Sequence, residues 1–105
     1  MASILIPLAQ GCEELEAVTL IDLFRRAGFQ VITAGLEPGP VRCSRGTTIL
    51  PDQTLDEARD GRYDLMVLPG GQPGADHLNA DPRIHALLKK LSAEGRYVGA
   101  ICAAP

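Results

Sequence analysis

Short apolar runs that alternate with helix-type segments are the feature of this chain that most constrains its fold. The predicted strands are residues 3–8, 29–34, 65–68 and 97–101. The predicted helices are residues 13–27 and 81–94. The first, third and fourth runs are almost continuously apolar, as expected for strands buried on both faces of a parallel sheet. The alternation therefore predicts βαβ units and an α/β fold, an open parallel sheet with helices on both faces.

Length, charge and terminal composition exclude several classes of protein. The 105 residues are enough for one domain with its own core, spanning residues 1–105. A net charge of -3 and a pI of about 5.2 indicate no nucleic-acid partner. No apolar run reaches the roughly 18 residues of a membrane span, and the N-terminus resembles a first strand more than a signal peptide. We expect a cytoplasmic protein without a membrane partner.

Two shorter patterns predict local structure between the main elements. Residues 41–43 and 47–50, separated by 44–46, suit a short hairpin that projects from the sheet. Thr54 and Glu57 have the spacing of a capping box, which predicts a helical turn over residues 54–58. The loops after the first, third and last strands would meet at the carboxyl edge of the sheet, where parallel sheets form their sites.

Cys102 ends the last apolar run and is followed only by small residues and a proline. Small neighbours allow the sharp strand-to-helix turn of a nucleophile elbow, and Pro105 suits the first turn of a helix. A helix N-terminus would lower the pKa of the thiol. The competing interpretation is a buried cysteine acting as a small apolar side chain, which we retain for Cys12 and Cys43. Three cysteines without metal-like spacing predict free thiols in a reducing compartment.

Glu16 is the second candidate, because helical spacing places it on the side of Leu20 and Leu23. Burial there would raise the pKa of its carboxyl, which could then stay protonated and donate a hydrogen bond to a thiolate. A carboxylate that merely interacts with the helix dipole fits the spacing equally well.

The glycine-rich segment 69–74 follows the third strand. It reads first as a strand-ending turn, but backbone N–H groups of a Gly-Gly pair at this edge can also stabilise an oxyanion. It is not a phosphate loop, since no Lys-Ser or Lys-Thr follows. Neither histidine, His77 or His85, has the neighbours expected of a catalytic base.

Together these residues resemble the ThiJ/PfpI superfamily, in particular the branch of the Parkinsonism-associated protein deglycase and YajL. The motifs that carry the resemblance are residues 11–18, 25–28, 43–46, 63–71 and 100–105. They run through the whole chain but match only about the first half of a family member. The resemblance implies a flavodoxin-like fold, like that of the class I glutamine amidotransferases, which is cut here after the nucleophile strand at its elbow.

The resemblance also implies roles for individual residues. Cys102 would be the reactive, peroxide-sensitive cysteine and Glu16 the protonated carboxyl beside it. Gly71 and Ala103 would supply the N–H groups of an oxyanion hole. Members of this branch are dimers, and Arg26 and Arg45 would lie near the two-fold interface and the site.

Three functions follow as hypotheses, none of which needs a metal or a cofactor. The first is a cysteine-dependent glyoxalase that needs no glutathione, or a deglycase that acts on glyoxal and methylglyoxal adducts of proteins and nucleotides. The second is an oxidative-stress sensor or redox-regulated chaperone without a substrate. The third is an inert fragment. Ala103 replaces the histidine that follows the cysteine in the protease-like branch, which argues against a peptidase. We expect the chain to require a C-terminal half, as a separate chain or a further segment, to complete the sheet.

Overall fold

A computed structural model describes residues 2–100, with the side chains of Tyr97, Val98 and Ala100 left out. The strands are β1 (Ser3–Leu8), β2 (Gln30–Gly35), β3 (Val41–Arg42), β4 (Thr48–Ile49), β5 (Gln53–Thr54), β6 (Leu65–Leu68) and β7 (Tyr97–Ala100). The helices are α1 (Glu14–Arg26), α2 (Leu55–Ala58), α3 (Gly74–Ala80) and α4 (Pro82–Ala93). No helix in residues 2–100 is long and apolar enough to cross a membrane.

The main sheet has five strands in the order β5-β2-β1-β6-β7, and every pairing is parallel. β3 and β4 pair antiparallel in a separate two-stranded sheet, which is the predicted hairpin with shorter strands. The α/β class and the parallel sheet are therefore confirmed. β2 begins and ends one residue later than predicted, and β5 and α3 were not predicted.

Side chains of the central strand alternate between two apolar cores, one on each face of the sheet. Leu5 of β1 packs in one core with residues of α2, α3 and α4, whereas Ile4 and Ile6 pack in the other with α1. The alternation follows from the two-residue period of a strand. Since both faces are covered, five of the six β1 residues are buried, as its unbroken apolar sequence predicted.

The helix boundaries follow local capping chemistry. The Thr54 side chain accepts a hydrogen bond from the Glu57 N–H while the Glu57 carboxylate accepts one from the Thr54 N–H, so the predicted capping box is confirmed. Asp81 caps α4, whose first residue is Pro82. These caps mark where α2 and α4 begin.

Candidate functional site

The carboxyl ends of β1, β6 and β7 meet at one edge of the sheet, and two loops follow there. The register pairs Leu68 at the end of β6 with Ala100 at the end of β7. The loop after β1 is tied to the loop after β6 because the Glu13 N–H donates a 2.9 Å hydrogen bond to the Gly70 carbonyl oxygen. This tied pair of loops forms the floor of the candidate site.

Glu16 lies over this floor on the first turns of α1. Its Oε1 accepts a 2.9 Å hydrogen bond from the Gly70 N–H, and the residue is half-buried. The apolar stripe that we predicted beside it is confirmed at Leu20, which packs against the core, but is wrong at Leu23, which is 57% exposed. The core-facing side of α1 is instead centred on Ala17, with Phe24 partly buried. The loop backbone, rather than a stripe of leucines, therefore positions the carboxyl.

Gly71 allows the two loops to approach closely. Its φ of +98° is in the left-handed region, and a Cβ there would overlap the Glu13 backbone nitrogen and lie 3.0 Å from the Cys12 carbonyl carbon. At Gly74 a Cβ would lie 2.6 Å from the Cys12 Cα. Real Cβ contacts are not this short, so both positions require glycine unless the backbone moves.

Glu14 fixes the turn between β3 and β4 to the start of α1. Its carboxylate accepts hydrogen bonds from the N–H groups of Arg45 at 3.0 Å and Thr47 at 3.1 Å, and from the Ser44 hydroxyl at 3.2 Å. Desolvation opposes ionisation here, but the backbone donors prevail and lower the pKa of Glu14 to about 2. These hydrogen bonds, the Glu14 clamp, bring Arg45 to the N-terminal end of α1, where Glu16 lies. Arg45 itself is exposed.

Arg26 does not lie at the N-terminal end of α1 with Glu16 and Arg45. It lies ten residues after Glu16, which is about 15 Å along a helix axis at 1.5 Å per residue. Its Nε donates to both carboxylate oxygens of Asp22 at 3.0 Å. Its interface role remains a prediction.

Cys12 and Cys43 form a contact that sequence reasoning missed. Both residues are buried, and their sulfur atoms are 3.8 Å apart although 31 positions separate them in the chain. Burial, together with the neighbouring Cys43 thiol and Glu14, raises the pKa of Cys12 to about 12. Burial also raises the pKa of Cys43. No sequence pattern pairs these cysteines, because their proximity depends on the β3 hairpin folding back onto the loop after β1.

A cavity of about 340 Å³ opens beside the ends of β1 and β2. Leu8, Leu36 and Val41 form its apolar wall, and His77 and Asp81 contribute polar groups.

The two histidines do not join the candidate site. His77 is exposed, and the Nε2 of His85 lies 2.5 Å from the Asn79 carbonyl oxygen. Within residues 2–100, no three potential metal ligands cluster.

Cys102 and Ala103 lie outside the described residues, so their predicted roles remain predictions. What residues 2–100 do define is a class of protein. The sheet is open and parallel, and at the carboxyl ends of its strands it carries glycine-containing loops and a hydrogen-bonded glutamate side chain. This arrangement is typical of α/β proteins that bind or convert a small ligand at that edge.

Comparison with known proteins identifies the family within this class. The model of the DJ-1/PfpI family matches residues 2–105, and the chain belongs to that family. The predicted ThiJ/PfpI resemblance and the flavodoxin-like fold are thereby confirmed.

Individual relatives agree. The Parkinson disease protein 7 homolog of Danio rerio is 44% identical over 103 residues, which cover 96% of this chain and 54% of the relative. A Caenorhabditis elegans protein named as a glutathione-independent glyoxalase is 39% identical, over 99% of this chain and 55% of its own length. The crystal structure of Drosophila melanogaster DJ-1beta superposes with a TM-score of 0.97 at 40% identity, covering 99% of this chain and 56% of that one. The chain thus spans about half the length of these relatives.

Proposed function

We propose that residues 1–105 are the N-terminal part of a single domain, ending at its nucleophile elbow, in a cysteine-dependent glyoxalase of the DJ-1/PfpI family. The enzyme would act without glutathione on methylglyoxal and glyoxal, or as a deglycase on their adducts, in protection against stress. The observation that carries this proposal is the Glu16 carboxyl, which the Gly70 N–H holds at 2.9 Å at the edge where β7 leads towards Cys102. The similarity to the nematode glyoxalase supports the substrate class.

Chain geometry supports the pairing of Glu16 with Cys102. Ala100 is in register with Leu68 on the neighbouring strand. Gly70 lies two residues after Leu68, and Cys102 lies two residues after Ala100. Two residues span at most about 7 Å, so the Cys102 Cα is within that reach of the Ala100 Cα. The chain length therefore allows Cys102 to reach the sheet edge at which the Gly70 N–H binds the Glu16 carboxyl, which supports the proposed pairing.

The proposed reaction begins with attack of the Cys102 thiolate on the aldehyde carbon of methylglyoxal, which forms a hemithioacetal. The N–H groups of Gly71 and Ala103 would stabilise the oxyanion, and Glu16 would deliver its proton. Glu16 would then move the proton from the former aldehyde carbon to the neighbouring carbonyl carbon, while the hydroxyl proton passes to the former ketone oxygen, giving a lactoyl thioester. Water would release lactate and the thiol, so the net change is addition of one water to methylglyoxal.

The test is methylglyoxal consumption and lactate formation by the whole protein. Cys102→Ser should abolish turnover with the fold intact, as measured by circular dichroism. Glu16→Gln should lower kcat by about 10²–10⁴-fold, the usual contribution of a positioned acid or base. Glu13→Gln is the matched control, because Glu13 caps α1 at the Leu15 N–H without contacting the Gly70 N–H through its carboxylate. Turnover by Cys102→Ser, or equal losses in the two glutamate variants, would refute the mechanism.

A second function, that of an oxidation sensor, is favoured by one comparison. A structure described as Toxoplasma gondii DJ-1 in oxidised form superposes with a TM-score of 0.97 at 39% identity, covering all of this chain and 58% of that one. In a sensor, peroxide would convert Cys102 to a sulfinate that Glu16 stabilises by a hydrogen bond. Glu16→Gln should then lose stable sulfinate, detected by intact mass, whereas the enzyme should lose mainly its rate of proton transfer.

The proposal includes a homodimer formed through α1. Apolar residues on this helix are exposed, with 74% of Leu15 and 48% of Val18 accessible, and Leu50 near the hairpin is 75% exposed. Such side chains are typical of a surface that a partner covers. We expect Val18→Glu to convert a dimer to a monomer in light scattering. An unchanged mass would place the interface elsewhere.

A further inference from the structure

The contact between Cys12 and Cys43 lies beside the candidate site but has no part in the proposed reaction. Their sulfur atoms are in van der Waals contact at 3.8 Å, in the core on the α1 side of the sheet. Both are free thiols. Two thiols at this distance differ from a lone buried cysteine, since each supplies the reaction partner of the other.

The backbone holds these two residues close enough to be bridged. The Ser44 N–H donates to the Cys12 carbonyl oxygen and the Gly11 N–H donates to the Arg42 carbonyl oxygen, both at 2.8 Å. These two bonds hold the loop after β1 against residues 42–44 on either side of the sulfur contact. A disulfide forms only between residues whose backbones already lie close together, so the remaining movement is the approach of the two sulfur atoms from 3.8 Å.

We propose that Cys12 and Cys43 form a second redox site, a dithiol that hydrogen peroxide converts to an intramolecular disulfide. Cys43 reacts first because it is 4% exposed and peroxide can reach it, whereas Cys12 is fully buried. Its thiolate displaces hydroxide from the peroxide and becomes a sulfenic acid. The Cys12 sulfur then attacks the Cys43 sulfur, the S–O bond breaks, and water leaves with the Cys12 proton. Overall, two thiols and one peroxide give one disulfide and two waters.

The surroundings of the pair make it slower to oxidise than an ordinary thiol. Burial and the nearby Glu14 carboxylate raise the pKa of both thiols, which leaves little thiolate at neutral pH. The site therefore responds to sustained peroxide. Once formed, the disulfide links the end of β3 to the loop against which Gly71 and Gly74 pack, so oxidation fixes the floor of the candidate site.

The decisive experiment maps disulfides in the whole native protein. The protein is exposed to hydrogen peroxide, alkylated, and digested with trypsin without reduction. The peptide that contains Cys12 ends at Arg25, and Cys43 lies in the peptide 43–45. We expect these two peptides to become joined with the loss of two hydrogens and to separate again on treatment with dithiothreitol.

Two controls connect the result to the fold. Cys102→Ser should retain the link, because the proposed dithiol does not involve Cys102. The same oxidation in urea should give mixed links that include Cys102. The proposal is overturned if native protein gives the same mixture as unfolded protein, or if Cys43 proceeds to sulfinate while Cys12 remains a thiol. It is also overturned if both stay reduced after prolonged exposure to excess peroxide, well beyond the dose that fully oxidises Cys102. None of these outcomes depends on methylglyoxal turnover.

Discussion

Replacement of Gly71 by alanine tests the close approach of the two loops that form the site. Gly71 has φ +98°, and an added methyl group would overlap the Glu13 backbone nitrogen. Gly39 is the matched control, since its φ is +97° and no atom lies within 4 Å of an added Cβ. The two substitutions have the same backbone conformational cost, and they differ only in the atoms that the added methyl group contacts.

The expected magnitudes follow from that difference. A left-handed alanine costs about 1–2 kcal/mol, and the less flexible unfolded chain returns about 0.4–1 kcal/mol. Gly39→Ala should therefore lower the free energy of unfolding by about 1 kcal/mol. Gly71→Ala should lose about 1–3 kcal/mol more, the usual cost of overpacking, because its contact is with backbone that cannot rotate away.

Urea unfolding of both variants measures the difference, and the alkylation rate of Cys102, the proposed nucleophile, tests its link to the loops. Gly71→Ala should shift the midpoint further than Gly39→Ala and also change the alkylation rate. Equal loss of stability in the two variants would show that the Gly71 loop does not pack against Glu13, and would refute the geometry of the site floor.

Two further predictions concern the clamp and the core. The pKa of Glu14 lies at about 2, below its ordinary 4.5, so its stabilising effect is complete above pH 4.5 and is lost as the pH falls towards 2. The melting temperature should accordingly fall more steeply in wild type than in Glu14→Gln across that window, and parallel curves would contradict the clamp. Tyr63→Phe removes the buried hydroxyl that donates to the Ala58 carbonyl oxygen at 2.7 Å. It should lower the free energy of unfolding by about 1–2 kcal/mol in urea, and an unchanged midpoint would count against that hydrogen bond.

Elements with a strong local pattern could be predicted closely. β6 is bounded as predicted because Leu65–Leu68 is an isolated apolar run. α4 begins where Asp81 and Pro82 provide a cap and a first-turn proline. By contrast, α3 has no side-chain cap hydrogen bond, and β5 has only two residues, which pair with β2. Neither element has a local sequence signal, because both are stabilised by contacts with distant parts of the chain.

The candidate site likewise combines residues that the sequence could propose with contacts that it could not predict. Spacing and resemblance proposed Glu16 and Gly71 as site residues, and of the leucines predicted beside Glu16 only Leu20 packs against the core. The hydrogen bond from Gly70 to Glu16 joins residues 54 positions apart. A bond between such distant groups has no periodicity to reveal it, so only the assembled loops define what the carboxyl contacts.

The sequence by itself determined the α/β class, the parallel sheet and the edge at which a site would form, because hydrophobic period and capping are local properties of a chain. Tertiary structure alone decided that Gly70 holds Glu16, that Glu14 clamps the Arg45 turn, and that Cys12 meets Cys43. The first contact requires the loop after β6 to pack against α1. The other two require the hairpin to pack against the loop after β1 and the start of α1. Such packing between distant segments arises only when the sheet has formed.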